Sequence, residues 1–539
     1  MHSARTNSRT NIFDVGPRFG STKLVAGAPH IRAFCECVGV CAIRAALLLA
    51  ALLALLLIAA RPAQAQTETV LYNFTGLSDG ANPISSLTSD SAGNFYGTTT
   101  AGGTTQWGTV FEISPNGSGG WHETVLYNFC SLLDCTDGAY PYQSDLIFDS
   151  AGNLYGTTAE GGANGYGVNG VLGYGVVFKL TPGDTGWTET VLYNFAGGTD
   201  GYQPWSGLIM DSAGNLYGTT AYGGAGLGTV FELSPSGDGW TEQVIYDADA
   251  NSNGIDAGLT MDAAGNIFGV AWWEVFELSP NGHGGWNSTV IHTFTGSPED
   301  GSGAQGTPVL DQAGNLYGTT TEGGATNYGT VYELSPPTKR WQKGKWTERI
   351  LHSFGGGNDG WLPFAAIVFD AAGNIYGTTF SGGVFELAAQ VGKRWYKEKV
   401  LWTFSGADGS GPWGSLILDS AGNLYGTTCF GGSTGNGVVF EVTPGTTTTL
   451  KSSPNPSTHG QAVIFTATVT SNLGARPPDG ETVSFMQGKT VLGTGTLSGG
   501  SASFTISTLA VGINWITAVY GGDLDFLGSK SNYKKQVVE

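Results

Sequence analysis

Charge is scarce in this chain. Only 12% of its 539 residues are Asp, Glu, Lys or Arg, against 40% hydrophobic. Basic side chains are the scarcest, 23 against 43 acids. Recognition of a phosphate backbone needs dense Lys and Arg, so this balance argues against a nucleic-acid partner. Cysteines number 6, and none has zinc-finger spacing. Beyond residue 65 no segment of useful length has a helical period, which argues against a helical bundle. Glycine is abundant, with 87 residues. It follows no triplet period, so collagen is excluded. An aromatic content of 12% is too high for a disordered chain. The length allows two or more domains.

One long apolar run stands near the start. Ala45 to Ala60 is unbroken, with Arg44 before it and Arg61-Pro62 after it. Ala63-Gln64-Ala65 then supplies a small-x-small cleavage site. This pattern predicts an export signal over residues 1–65. Sixteen apolar residues fall short of the roughly 20 a spanning helix needs; an uncleaved anchor is the alternative. Removal of residues 1–65 would leave 16 bases and 41 acids, a net charge of −25. Such a field repels nucleic acid and anionic lipid and favours cations or neutral partners. No membrane insertion is expected after removal. In an exported chain Cys130 and Cys135 could close a small loop; two free thiols are the alternative.

The remainder repeats. Ala-Gly-Asn recurs seven times, its Asn at 94, 153, 215, 266, 315, 374 and 423. Strings like Thr69-Val-Leu-Tyr-Asn-Phe74 and like Val110-Phe-Glu-Ile113 also occur seven times each. In each unit the Asp before Ala-Gly-Asn reads as a turn cap. Each unit reads as four short strands; in the first they are 85–90, 95–99, 109–114 and 122–129. In the last of these Val125, Tyr127 and Phe129 should share a face by period two. Tandem four-stranded units of about 50 residues predict a seven-bladed β-propeller over 66–444. The strand at 69–74 precedes every blade, and the seventh blade lacks its own fourth strand. The N-terminal strand should therefore complete the seventh blade, burying Val70, Tyr72 and Phe74 and hiding both open edges. An open solenoid is the alternative. Residues 445–539 change composition and show alternating strands, such as Val463-Phe465-Ala467-Val469. They predict an Ig-like β-sandwich.

The repeated D-x-A-G-N-[LIF]-[YF]-G-T-T and G-T-V-[FY]-E-L-[ST]-P strings resemble the GloVer tandem repeats of bacterial "choice-of-anchor" exported proteins. The fourth unit departs from the first string, with Gly269-Val270-Ala271. Residues from Thr446 onward, including Gly480-Glu481-Thr482-Val483-Ser484-Phe485 and Val519-Tyr520-Gly521-Gly522-Asp523, resemble the bacterial Ig-like repeat domain. The resemblance implies the fold and an extracellular location, secreted or at the cell surface. It implies no established activity.

Catalytic signals are weak. Gly431-Gly-Ser433-Thr-Gly435 fits a nucleophile motif but lies in a loop between strands, where that motif needs a strand-to-helix elbow. Gly165 to Gly170 fits a dinucleotide fingerprint but opens no helix. His292 and His352 replace the Tyr of the fourth strand and read as substituted packing positions. Asp249, Asn251 and Asn253 match the opening of a calcium loop, although Thr260 stands where a bidentate Glu belongs; a polar turn is the alternative. The remaining candidate is a face. The loops entering four blades carry Asp-Gly, then Pro and an aromatic residue: Tyr142, Trp205, Phe364 and Trp413. Aromatics beside carboxylates suit a neutral glycan or peptide; the alternative is that they wedge between blades. Two functions follow. One is a secreted or cell-surface, non-enzymatic binding or structural protein. The other is an extracellular lyase or hydrolase of polysaccharide or peptide, with its site at the propeller mouth.

Overall fold

The computed structural model describes residues 67–539, apart from 118, 166–172, 249–253, 338–344, 391–395, 444, 472–475 and 524–525. The export segment and the calcium turn at Asp249, Asn251 and Asn253 lie outside the described residues. The described residues are all-β, with only single-turn 3-10 segments such as Leu133–Cys135.

Seven small antiparallel sheets follow one another. The first contains Thr88–Ser89, Phe95–Thr99, Thr109–Pro115 and Trp121–Asn128, paired in chain order. The next five repeat this order, the fifth with an added strand at Gly301–Ala304, and have their outermost strands at Gly186–Asn194, Gly239–Asp247, Trp286–Thr293, Thr347–Ser353 and Tyr396–Thr403. The seventh takes its outermost strand from the start of the chain. Thr67–Asn73 pairs antiparallel with Val438–Thr443. Phe74 continues this contact, donating its N–H to the Gly437 carbonyl at 3.1 Å.

The repeated residues each have a structural task. In the first turn, Asp90 Oδ1 accepts the N–H groups of Ala92 and Asn94 at 2.8 and 3.0 Å. Its Oδ2 accepts from the Asn94 amide and from the Tyr96 hydroxyl at 2.8 and 3.0 Å. This is the expected turn cap, and it recurs at Asp149, Asp211, Asp262, Asp311, Asp370 and Asp419. Gly97 is obligatory for another reason. A Cβ there would come within 2.7 Å of the Phe111 ring lying across it. Thr99 and Thr109 then join hydroxyls at 2.8 Å.

Thr98 reaches outward. Its hydroxyl donates to the Ser144 carbonyl, which belongs to the segment entering the second sheet, at 3.3 Å. Thr157, Thr219, Thr319 and Thr378 make the same kind of bond to the next segment. Thr427 of the seventh sheet donates to Ser85, ahead of the first sheet, at 2.9 Å. Val270 occupies this position in the fourth sheet, so the fourth seam loses the bond. There Gly258 N–H donates to Thr307 Oγ1 at 3.1 Å instead.

The fourth strands do not keep period two. Phe111 pairs with Val125 and Val110 with Tyr127, leaving Leu126 as an inserted residue. Val125 and Tyr127 therefore sit opposite residues of opposite faces, contrary to the expected shared face. The same one-residue bulge falls at Leu71, Leu192, Ile245, Ile291, Leu351 and Leu401. A bulge frees one side chain from the ladder. Here that side chain is always Leu or Ile, and it packs against the neighbouring sheet's core. In the N-terminal strand the buried residues are accordingly Leu71 and Phe74, while Val70 and Tyr72 are partly exposed.

Residues 446–538 form two further sheets of three and five strands. Along Val463–Ser471 buried and accessible residues alternate. Val463, Phe465, Ala467 and Val469 meet Val483, Phe485, Ile516, Ala518 and Tyr520 of the second sheet in one core. Cys130 and Cys135 are disulfide-bonded, and Cys429 is a buried free thiol.

Candidate functional site

The segments entering the seven sheets converge, and three local features hold them. The first is the Asp of Asp-Gly. Asp79 accepts from the Tyr72 hydroxyl at 2.9 Å and from Thr75 N–H at 2.8 Å. Asp137 is held by Tyr127 and Ser131, Asp200 by Tyr193 and Ala196, and Asp408 by Trp402 and Ser405. The second is the following glycine. Gly80 has φ +103°, and a Cβ there would fall 2.3 Å from Thr99 Oγ1. The third is the proline, whose ring packs on a glycine of the preceding unit. A Cβ on Gly108 would lie 2.7 Å from Pro141 Cδ, and one on Gly175 would lie 2.7 Å from Pro204 Cδ.

With those anchors set, the residue after each Pro enters common ground. Trp205, Phe364 and Trp413 line one cavity of about 30 Å³ together with residues from the entry segments of the other four sheets, among them Asp145, Asp256 and Gln305. The enclosed space is small, and the cavity opens toward solvent. The four aromatics singled out in the sequence form one continuous cluster. Phe364 stacks on Trp413 with centroids 4.6 Å apart and planes at 8°. Tyr142 lies 6.4 Å from Trp413 and 5.2 Å from Trp205. All four are partly exposed. Trp413 Nε1–H is buried without a hydrogen-bond partner. Further rings extend the apolar surface outward: Tyr222 lies 5.4 Å from Trp205 and Phe380 lies 5.3 Å from Trp413.

A polar chain runs beside the rings. Ala366 N–H donates to Ser415 Oγ at 3.0 Å, and Ser415 N–H to Ser86 Oγ at 2.9 Å. Ser86 then donates its N–H and hydroxyl to Asp145 at 2.6 and 3.0 Å. Burial raises the Asp145 carboxyl to about 6 against the pull of those bonds. Burial also raises Asp256, which Gln305 partly offsets. The result is a set of flat apolar rings beside hydrogen-bonding acceptors. It can stack a ring and accept from its hydroxyl or amide groups.

Sequence reading missed a second constellation. At six seams an Asp of Asp-Gly faces a Glu from the next sheet's outermost strand. The pairs are Asp79 with Glu123, Asp137 with Glu189, Asp200 with Glu242, Asp300 with Glu348, Asp359 with Glu398 and Asp408 with Glu68. Every one of these Glu residues has a buried Oε1 with no hydrogen-bond partner. Burial, then the facing Asp, raises Glu189 and Glu348 to about 8 and Glu68, Glu123 and Glu242 to about 7. Glu398 moves the same way. The available signal was paired loss: the remaining seam has Asn253 and Ser288 at the two positions.

The sequence profile of the Gloeobacter/Verrucomicrobia repeat matches residues 58–169 and 274–475, more than half of the chain. The chain belongs to this repeat family. Residues 450–539 match the bacterial Ig-like domain, group 3. Among curated proteins none matches the sequence. Solved structures similar to this repeat protein include the extracellular domains of two Bacteroides thetaiotaomicron hybrid two-component systems. Their identities are 14% and 12%, each with a TM-score of 0.42. The alignments cover 88% and 87% of this chain but only 58% of each of those chains. A catalytically inactive virginiamycin B lyase from Staphylococcus aureus, solved with quinupristin, is 14% identical with a TM-score of 0.43. That alignment covers 70% of this chain and 98% of the lyase. Among the described residues no helix is long and apolar enough to cross a membrane.

Proposed function

We propose that this repeat protein is an exported bacterial binding protein without enzymatic activity. In this reading the seven sheets are blades of a closed propeller over 66–444, and 445–539 is an Ig-like spacer or docking module. The pairing of Thr67–Asn73 with Val438–Thr443 and the bond from Thr427 to Ser85 support closure. The segment over 1–65 acts as the export signal. The ligand is a neutral glycan or peptide lying across the mouth of the axis, stacked on Tyr142, Trp205, Phe364 and Trp413.

One observation carries the ligand face: four aromatics from four separate entry loops meet in one partly exposed cluster. In this reading binding occurs over the rings, above the small cavity they line. A strongly acidic chain suits an uncharged partner. The test is a glycan and peptide array probed with the parent chain and with Trp205→Ala and Trp413→Ala. Each substitution is expected to weaken binding at least about tenfold, equivalent to 1.4 kcal/mol. Equal binding by both variants refutes the face. Release of a cleaved product by the parent would replace this reading with the hydrolase or lyase alternative.

A further inference from the structure

We propose that His292, Asp300 and Glu348 hold a divalent transition-metal ion, zinc by the chemistry of the donors, at the seam between the fourth and fifth sheets. His292 stands on the outermost strand of the fourth sheet, Asp300 in the segment that follows, and Glu348 on the outermost strand of the fifth. His292 Nε2 lies 3.6 Å from Asp300 Oδ2 and 3.8 Å from Glu348 Oε1. One ligand atom from each residue falls within 4.8 Å of the other two. Zinc bound to nitrogen and oxygen at about 2.0–2.1 Å in a tetrahedron places its ligands roughly 3.3–3.4 Å apart. Only a small closure separates the donors from that cage. One imidazole and two carboxylates leave a fourth position for water.

The repeat supplies its own control. At five other seams the equivalent side chain donates to its Asp: Tyr72 at 2.9 Å, Tyr127 at 2.8 Å, Tyr193 at 3.1 Å, His352 at 3.1 Å and Trp402 at 3.0 Å. His292 holds its Nε2 farther from its Asp, 3.6 Å from Asp300 Oδ2. Its Nε2 and the Glu348 Oε1 are both buried without a hydrogen-bond partner. Asp300 is meanwhile oriented by Thr295 N–H at 2.7 Å, Thr295 Oγ1 at 3.0 Å and Gly301 N–H at 2.6 Å. Such outer bonds fix a metal-ligating carboxylate. The unpartnered Oε1 is shared by all six seam Glu residues, so what distinguishes this seam is the His292 Nε2, which faces a common point with the oriented Asp300 carboxylate and Glu348 Oε1. The site also lies at the seam where Val270 has removed the threonine bond between sheets. An ion there would link the fourth and fifth sheets directly.

The test titrates the full chain with Zn²⁺ by calorimetry and with Co²⁺ by visible absorption, after stripping with a chelator. His292→Tyr installs the residue already present at Tyr72, Tyr127 and Tyr193, so folding is expected to survive. It should remove one equivalent of Zn²⁺ and the corresponding Co²⁺ absorption. Glu348→Gln should weaken that equivalent by more than tenfold, at least the loss typical of outer-shell changes. His352→Tyr should leave it intact. Zn²⁺ should raise the melting temperature of the parent but not of His292→Tyr. An unchanged stoichiometry in folded His292→Tyr or Glu348→Gln overturns the proposal. So does loss of the same equivalent in His352→Tyr, or no zinc binding by the parent.

Discussion

Phe74→Ala is expected to destabilise the chain by about 3–5 kcal/mol, the usual cost of emptying a buried phenylalanine site. Phe74 has no exposed surface and meets the Phe111 ring edge-on at 5.0 Å. Leu71, the bulged residue of the same strand, is also buried. Both lie in the core cluster shared by the first sheet and the strand at Val438–Thr443. Truncation at either position loosens the contact between the first and the seventh sheet. Adding Leu71→Ala should deepen the loss, without strict additivity because the two residues share neighbours. Leu77, 68% exposed, is the control, and Leu77→Ala should change stability by less than about 0.5 kcal/mol. Urea denaturation followed by tryptophan fluorescence reads all three. A Phe74→Ala midpoint equal to the parent's would contradict the role given to this strand and the proposed closure with it.

Stability should also fall as pH rises from about 5 to 8. Below the ordinary carboxylate value of 4.5, the five seam Glu residues other than Glu348 are protonated whether the chain is folded or not. Above it, the unfolded chain ionises them while the folded chain keeps them neutral, up to about 7 at Glu68, Glu123 and Glu242 and about 8 at Glu189. The folded state then binds more protons, so each rise in pH favours unfolding. Every fully retained proton contributes a slope of about 1.4 kcal/mol per pH unit. The aspartates act with the opposite sign. Hydrogen bonds lower Asp79, Asp90, Asp149 and Asp408 despite their burial. Their stabilisation is present above the ordinary value of 3.8 and is lost as the pH falls toward their folded values. The two sets place the stability maximum near pH 4–5. Melting measured across pH 4–9 should show it, and unfolding at pH 6 should release protons. Glu189→Gln should reduce the decline toward pH 8 and leave the acidic side unchanged. A melting temperature that is flat or rising from pH 5 to 8 would refute the shared cause.

Much of the fold was legible because its punctuation is local. Asp90 caps its own turn within four residues, and Gly97 is required by a strand that follows it closely. Such features repeat in the sequence wherever they repeat in space. The aromatic loops were legible for the same reason: Asp-Gly and Pro fix the backbone around Tyr142, Trp205, Phe364 and Trp413. The bulges were not. One inserted Leu or Ile breaks period two without leaving a glycine or proline to mark it, and so Val70 looked buried where Leu71 is. The acid pairs were hidden by distance. Glu123 meets an Asp from the preceding seam, and nothing near Glu123 in sequence announces it. The His292 cluster was hidden twice, since its ligands come from two sheets and the histidine occupies a tyrosine's place.

The strand at Thr67–Asn73 has a consequence for the order of assembly. It lies at the start of the described chain, while its partner at Val438–Thr443 is translated more than 360 residues later. Until then its backbone groups have no mate. Premature termination anywhere before residue 438 would leave the early strand stranded, a template for pairing with other chains. Ribosomal synthesis runs from one end, but the last step of assembly waits for both.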